Sequence, residues 1–148
     1  MSKRRIYVDT NVLVNYFTKQ VDDVQCLDYL FTKVRKEILF TSSLAIVQTI
    51  SILQTGKKGR KKFSRDEAIK SGEKIYKKFS VIDLSSKDVE MGFEYPNKDI
   101  EDNVHYVLLD KKKCDVIVTN NTSDFVLFEN KLIALTPKDL KRVKRFVS

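Results

Sequence analysis

The chain has 148 residues, of which 28 are Lys or Arg and 20 are Asp or Glu, so its formal net charge at neutral pH is +8. This length suits one compact domain and is too short for two ordinary ones. A hydrophobic fraction of 42% argues against disorder. No apolar run approaches the roughly 18 residues that a membrane-spanning helix needs. The excess of positive charge favours an anionic partner such as nucleic acid.

The cysteines and the N-terminus indicate a cellular compartment. Cys26 and Cys114 are far apart, and neither has a second Cys or His at the spacing of metal ligands. The basic N-terminus leads into an apolar run that Asp9 interrupts, which argues against a secretory signal peptide. We therefore expect a cytoplasmic protein with two buried free thiols and no membrane association.

Short apolar runs alternate along the chain with segments whose apolar residues recur at helical spacing. In chain order we predict a strand at 6–8, helices at 12–17 and 24–34, a strand at 38–40, helices at 44–54 and 64–76, a strand at 79–84, helices at 85–93 and 99–108, a strand at 115–119, a polar loop at 120–124, a strand at 132–135 and a last helix from 137.

Several residues define the predicted boundaries. Asp9 stands between the first strand and the first helix, where its side chain can cap the helix. Ser64 and Glu67 have the spacing of a capping box, and Pro137 suits the start of the last helix. The helix at 44–54 is apolar nearly all round, which predicts that it is buried.

This alternation predicts an α/β sandwich with a mostly parallel sheet, formed by residues 1–148 as a single domain. Ligands of such sheets bind beyond the carboxyl ends of the strands. Asp9 follows the first strand, and Asn121 and Asp124 follow a later buried strand. Asp102, in the first turn of a helix after a loop, can face the same edge.

The carboxylates Asp9, Asp102 and Asp124 are hard oxygen ligands of the kind that Mg²⁺ or Mn²⁺ prefers. Crowded carboxylates repel one another unless a cation neutralises them. A divalent ion can orient water and polarise a phosphoryl oxygen, which in a basic protein favours phosphodiester hydrolysis. The alternative is structural, because Asp99 and Asp102 can cap a helix and Asp124 can fix a turn.

Three segments together resemble the PIN-domain family, especially the VapC-like toxins of prokaryotic toxin–antitoxin pairs. They are YVDTNVL at 7–13, EDNVHY at 101–106 and CDVIVTNNTSDF at 114–125, and the Leu-Thr-Pro at 135–137 also fits. The segments occur in the family's order over essentially the whole chain. The resemblance implies a three-layer α/β/α sandwich with a five-stranded parallel sheet, and an Mg²⁺- or Mn²⁺-dependent ribonuclease site.

The resemblance also implies roles for single residues. Asp9 and Asp102 match acids expected to bind the metal directly, and Asp124 matches an acid that often acts through water. Asn121 matches a polar residue that helps to shape the site. Thr10 and Asn11 belong to the opening motif, where they are expected to cap the helix and to orient neighbouring site residues.

One position departs from the family pattern. In the predicted helix at 44–54, Gln48 stands where the family normally has Glu. Gln keeps the shape and an acceptor oxygen but loses the charge. The resemblance therefore implies a weakened or altered nuclease, compensated in part if Glu101 turns inward; the alternative is that the family's Glu aligns elsewhere.

Two further features have both a functional and a structural interpretation. The basic run Lys57, Lys58, Arg60, Lys61 and Lys62 can contact an RNA backbone, or it can be a solvated loop. The only histidine, His105, lies one turn after Asp102 and could act as a general base, but we predict an ordinary position on the helix surface.

Three functions are therefore compared. Our prediction is a metal-dependent endoribonuclease acting on RNA, restrained by a small antitoxin and forming a homodimer. The second is a catalytically impaired PIN fold that binds RNA or a protein, motivated by Gln48. The third, another α/β phosphate enzyme, is disfavoured because Asp9 has no second Asp two residues on and no Gly-rich phosphate loop occurs.

Overall fold

The computed structural model describes residues 3–56, 59–128 and 131–147. The elements in chain order are β1 (Ile6–Val8), α1 (Thr10–Phe17), α2 (Val21–Lys33), β2 (Leu39–Ser42), α3 (Ser43–Thr55), α4 (Arg65–Lys78), β3 (Ser80–Ile82), α5 (Ser86–Gly92), α6 (Ile100–Lys111), β4 (Val116–Val118), β5 (Ile133–Leu135) and α7 (Leu140–Val147). The 3₁₀ helices Lys36–Ile38 and Thr122–Phe128 precede β2 and β5.

The five strands form one sheet in the order β3-β2-β1-β4-β5, and every neighbouring pair is parallel. In the central strand β1, Ile6 is in register with Leu39 of β2 on one side and with Val116 of β4 on the other. Parallel neighbours require crossover connections, which here are helices. The predicted α/β class and parallel sheet are confirmed.

Both faces of the sheet are covered. Ile6 and Val8 point to one face and pack in a core to which α1, α2, α4 and α7 contribute. Tyr7 points to the opposite face, where it packs with α6 and with Phe125 and Phe128 of the second 3₁₀ helix. Because alternate residues of a strand face opposite sides, one three-residue strand serves both cores. The predicted three-layer arrangement is confirmed.

Polar side chains cap the first turns of several helices. Asp9 caps α1, Ser42 caps α3 and Asp99 caps α6, each through its side chain. Ser64 and Glu67 form the predicted capping box of α4. Since Asp9 and Ser42 also lie at the carboxyl ends of β1 and β2, capping places both polar side chains at the same edge of the sheet.

Some elements differ from the prediction. Helix α3 is not buried all round: Ala45 and Leu53 are buried, but Val47 is 65% exposed. The physical reason is that α3 packs against α1 and α4 and leaves a side to the solvent. Residues 120–124 are predicted to form a polar loop, but a 3₁₀ helix begins at Thr122 within this segment.

The final helix begins later than Pro137 suggested. Its first residue is Leu140, and Asp139 provides the cap by accepting hydrogen bonds from the Arg142 and Val143 backbone nitrogens. Pro137 therefore lies in the connection before the helix, where a fixed φ is equally well tolerated.

Cys26 and Cys114 are buried free thiols, as predicted. Burial raises the pKa of each to about 12, so neither is a reactive thiolate at neutral pH. Among the described residues, no helix is long and apolar enough to cross a membrane.

The caps lead to a stability prediction. Replacing Ser64 by Ala removes a solvent-exposed cap and should lower the free energy of unfolding by about 1 kcal/mol. Replacing Ser42 by Ala should cost more, because Ser42 is fully buried and its hydroxyl also lies 2.7 Å from the Tyr7 hydroxyl. Urea denaturation of both variants measures the difference, and equal losses would contradict it.

Candidate active site

The site is built on the adjacent strands β1 and β4. Asp9 follows β1, and its backbone nitrogen donates to the Val118 carbonyl at the end of β4 (3.0 Å). Its carboxylate is buried and accepts from the Thr10 backbone nitrogen (2.8 Å), from Asn11 Nδ2 (3.0 Å) and from Thr119 Oγ1 (2.8 Å). These bonds hold the Asp9 carboxylate in one orientation, to which the Asn11 side chain contributes as expected, whereas the cap of α1 is Asp9 and not Thr10 or Asn11.

A second polar network extends from Asn11 away from the sheet. Asn11 Oδ1 accepts from the backbone nitrogen of Asn120 (2.9 Å), and Asn120 Nδ2 donates to Asp23 (2.9 Å). Asn15 also donates to Asp23 (3.3 Å) and accepts from Arg60 Nη2 (2.7 Å). The network thus connects the site with the basic loop between α3 and α4.

The central acid of this network was not identified from the sequence. Asp23 is 4% exposed, and burial raises its pKa. It stands beside Asp22 at the start of an amphipathic helix, where acidic residues commonly face solvent and interact with the helix dipole. Nothing in this local pattern distinguishes a buried Asp from an exposed one.

Asp102 and Asp124 bring two further carboxylates to this edge, from the first turn of α6 and from the second 3₁₀ helix. Within the described residues, neither carboxylate accepts a hydrogen bond; Asp124 is held through its backbone, whose carbonyl accepts from Asn97 Nδ2 (3.1 Å). Both side chains therefore remain available to a ligand.

Negative charges accumulate around Asp102. Burial, followed by the charges of Asp124, Asp99, Asp9 and Glu101, raises the pKa of Asp102 to about 7. Burial and the charges of Asp9 and Asp99 also raise the pKa of Asp124. These carboxylates are thus close enough to destabilise one another's ionised forms.

This donor set fits a hard divalent cation in its chemistry. The carboxylate oxygens of Asp102 and Asp124 accept no hydrogen bond from the described residues, and a cation would relieve their repulsion from Asp9. In residues 3–56, 59–128 and 131–147, however, no three acidic, His or Cys side chains are close enough to enclose an ion as they stand. A bound ion would have to draw the carboxylates together.

A cavity of about 510 Å³ opens at this edge of the sheet. Of the residues predicted from the sequence, its walls include Asp9, Asp102, Asn121, Gln48 and Arg60. They come from the junction of β1 and α1, from α3, from α6 and from two loops, so residues far apart in the sequence share one solvent-accessible space.

The other predicted residues lie differently. Asp124 is not among the described lining residues of this cavity, although its charge acts on Asp102. Lys61 lines a neighbouring cavity of about 830 Å³ together with Arg60. Lys62 is exposed, and Lys57 and Lys58 fall outside the described residues.

The prediction that His105 lies on the helix surface is wrong. His105 is 3% exposed, and its Nδ1 lies 2.7 Å from the Tyr7 hydroxyl. His105 lies on the inward side of α6, because this helix packs against the sheet at β2 and His105 contacts Tyr7 of β1. Burial lowers the pKa of His105 by more than the charge of Asp9 raises it.

Gln48 meets His105 at the cavity wall. Its Oε1 accepts from Thr10 Oγ1 (2.7 Å) and lies 2.9 Å from His105 Nε2. Its Nε2 donates to Glu101 Oε1, so the Glu101 carboxylate does reach the residue that departs from the family pattern. The amide of Gln48 is thereby engaged on both sides.

The raised pKa of Asp102 predicts a pH-dependent stability of the metal-free protein. An Asp with a pKa of about 7 in the fold and a usual value of 3.8 stabilises the fold while protonated. This contribution is complete below about pH 4 and is lost as the pH rises through about 7. We expect Asp102→Asn to flatten this fall in stability in urea denaturation with chelator, and exposed Asp110→Asn on the same helix to leave it unchanged. An unaltered profile in Asp102→Asn would contradict the assignment.

Comparison with known proteins gives related sequences and folds. Ribonuclease VapC1 of Aquifex aeolicus is 23% identical over 128 residues, which are 83% of this chain and 85% of that protein. The structure of VapBC2 from Rickettsia felis bound to a DNA fragment from their promoter matches with a TM-score of 0.62 and 18% identity, over 88% of this chain and 98% of the other.

Two more solved structures share the fold. PAE2754 from Pyrobaculum aerophilum has a TM-score of 0.62 and 16% identity, with 96% of this chain and 90% of the other covered. VapC20 of Mycobacterium tuberculosis, a toxin that cleaves the sarcin-ricin loop, has a TM-score of 0.59 and 13% identity, with 76% and 86% covered. The family model described as PIN domain matches residues 6–128, most of the chain, and the protein therefore belongs to the PIN-domain family.

Proposed function

We propose that this protein is an endoribonuclease that hydrolyses RNA phosphodiesters with the help of Mg²⁺ or Mn²⁺, as a toxin-type PIN protein. The observation that carries the proposal is the accumulation of mutually repelling carboxylates, Asp9, Asp102 and Asp124, at one edge of the sheet. The names of Ribonuclease VapC1 and of the sarcin-ricin loop cleaving toxin VapC20 support a ribonuclease rather than another phosphate enzyme.

The environments of Asp9, Asp102 and Asp124 suit them to different roles in the proposed reaction. Asp9, held by three hydrogen bonds, and Asp102, whose carboxylate accepts none from the part of the chain that the structure describes, would bind the metal. When bound, a divalent ion supplies charge that polarises the phosphoryl group and lowers the pKa of a water. Asp124, whose carboxylate has no protein donor among the described residues, would accept a hydrogen bond from the attacking water. Asn121, exposed at the cavity wall, would donate to the substrate.

Arg60 supports RNA as the substrate. Its guanidinium lines the acidic cavity and the neighbouring cavity, and Asn15 holds it at 2.7 Å. Arg binds phosphate through two parallel hydrogen bonds, and a fixed side chain loses less entropy on binding. We propose that Arg60 and the basic run at 57–62 bind the RNA backbone on either side of the cleaved bond.

The impaired-fold alternative is less well supported. Gln48 lacks the charge of a Glu, but its amide contacts Thr10, His105 and the Glu101 carboxylate. A cavity that keeps Asp9, Asp102 and Glu101 in its walls retains the charge that a cation needs.

A small antitoxin is the proposed protein partner. The support is the resemblance to VapC-like toxins of toxin–antitoxin pairs and the fold shared with the structure of VapBC2 from Rickettsia felis. Co-purification with the product of a neighbouring small gene tests this partner. The homodimer stays a prediction, which light scattering of the purified protein tests.

The three proposed acids lead to a catalytic prediction. Asp9→Asn and Asp102→Asn should each lower RNA cleavage at least about 100-fold, because each removes a metal-binding charge while keeping the side-chain shape. Asp124→Asn should also lower cleavage while leaving Mn²⁺ binding, measured by calorimetry, closer to that of the unmodified protein. Undiminished cleavage by Asp9→Asn and Asp102→Asn would refute the proposed function.

Arg60 leads to a separate binding prediction. Arg60→Ala should weaken binding of single-stranded RNA and lower the slope of log affinity against log salt concentration by about 1, because one phosphate contact is lost. Lys112→Ala is the matched control, since Lys112 is exposed and precedes β4 at the opposite edge of the sheet. Fluorescence anisotropy at several salt concentrations measures both, and equal slopes for the two variants would exclude this role.

A further inference from the structure

The amide of Gln48 has an orientation that its neighbours determine. On one side stands the Glu101 carboxylate, which can only accept hydrogen bonds when ionised. The Gln48 nitrogen must therefore face Glu101, since an amide oxygen there would oppose another oxygen. This leaves Oε1 facing Thr10 and His105, where it accepts from the Thr10 hydroxyl at 2.7 Å.

This orientation determines the tautomer of His105. An amide oxygen accepts only, so His105 Nε2, 2.9 Å away, must carry the proton. The other nitrogen, Nδ1, then accepts from the Tyr7 hydroxyl at 2.7 Å. The Tyr7 oxygen in turn accepts from Ser42 Oγ at 2.7 Å, and Ser42 Oγ accepts from the Ala45 backbone nitrogen at 3.1 Å.

The bonds form a relay in which every donor points the same way. From the sheet to the cavity, its members are Ser42, Tyr7, His105, Gln48 and Glu101. Ser42 and Tyr7 are fully buried and His105 is 3% exposed, so water does not compete for the bonds among these three residues, whereas the bond from Gln48 to Glu101 is exposed to solvent. Breaking one inside the protein leaves a buried polar atom without a partner, which is more costly than losing a solvent-exposed bond.

We propose that Gln48 and His105 are positioning residues that hold Glu101 against the acidic cavity, so that Glu101 supplies the carboxylate that α3 lacks. The proposal rests on the proposed metal-dependent function. Glu101 lines the cavity with Asp9 and Asp102, and its charge already acts on Asp102. Glu101 thereby supplies a carboxylate next to position 48, and the amide of Gln48 is the donor that anchors it.

A carboxylate at position 48 would be incompatible with this arrangement. Gln48→Glu would place two carboxylates against each other where the amide now donates to Glu101. The proposal therefore predicts no gain in Mn²⁺ affinity from Gln48→Glu alone. A double variant, Gln48→Glu with Glu101→Gln, exchanges the two side chains. It keeps one carboxylate and one amide donor between positions 48 and 101.

Calorimetric titration of Mn²⁺ into the full chain tests the role of Glu101. Glu101→Gln and Gln48→Leu should each weaken Mn²⁺ binding about ten-fold, and the double variant Gln48→Leu/Glu101→Gln should be no weaker than either alone. The exchange variant should recover most of the affinity. Asp110→Asn is the control, as an exposed acid at the far end of α6. Wild-type affinity in Glu101→Gln would overturn the proposal.

The relay itself has an independent readout, because the chain has one histidine. Nitrogen-15 NMR of the metal-free protein should show His105 protonated on Nε2, and Gln48→Leu should reduce this preference. Protonation on Nδ1 in the wild type would refute the relay even if the protein binds Mn²⁺ and cleaves RNA. If the wild type binds no Mn²⁺, the metal-dependent function and the role of Glu101 both fail, whereas the tautomer still reports whether the relay exists.

Discussion

Repulsion among the carboxylates at the carboxyl edge of the sheet is the constraint on which the rest of the site depends. Asp9 is stabilised in its buried position by three hydrogen bonds, whereas Asp102 and Asp124 receive none from the described residues. A partly buried carboxylate without donors is stable only if it is protonated or next to a cation. Protonation of Asp102, which its raised pKa favours, and binding of the proposed metal would both reduce the repulsion among these carboxylates.

Two hydrogen-bond networks reach the cavity, one through Asn11 beside Asp9 and the other ending at Glu101. One passes through amides to the buried Asp23 and ends at Arg60; the other runs from the sheet through Tyr7 and His105 to Gln48. Each network begins at a residue beside a strand end and finishes at a side chain lining the cavity. A packed core alone could not orient these polar groups, because apolar contacts have no direction, whereas hydrogen bonds do.

The net charge of +8 and the acidic cavity fit together in this arrangement. In the proposed function, the excess of positive charge would attract RNA from a distance, and the acidic cavity would accept a phosphate only after a cation is bound. Arg60 lies between the acidic cavity and the neighbouring cavity, since it lines both of them. Such a layout would make both RNA binding and metal binding necessary for the proposed cleavage.

The sequence by itself determined the order of the elements, the parallel α/β class, the caps at Asp9 and Ser64, and the placement of Asp9 and Asp102 at one edge of the sheet. These features depend on periodicity and on residues next to one another in the chain, which a linear pattern contains. Only the tertiary structure decided that His105 and Asp23 are buried, that Val47 is exposed, and that Gln48 holds Glu101. The burial and the contacts of these side chains depend on segments that are distant in the sequence. The same local pattern is compatible with a buried or an exposed side chain.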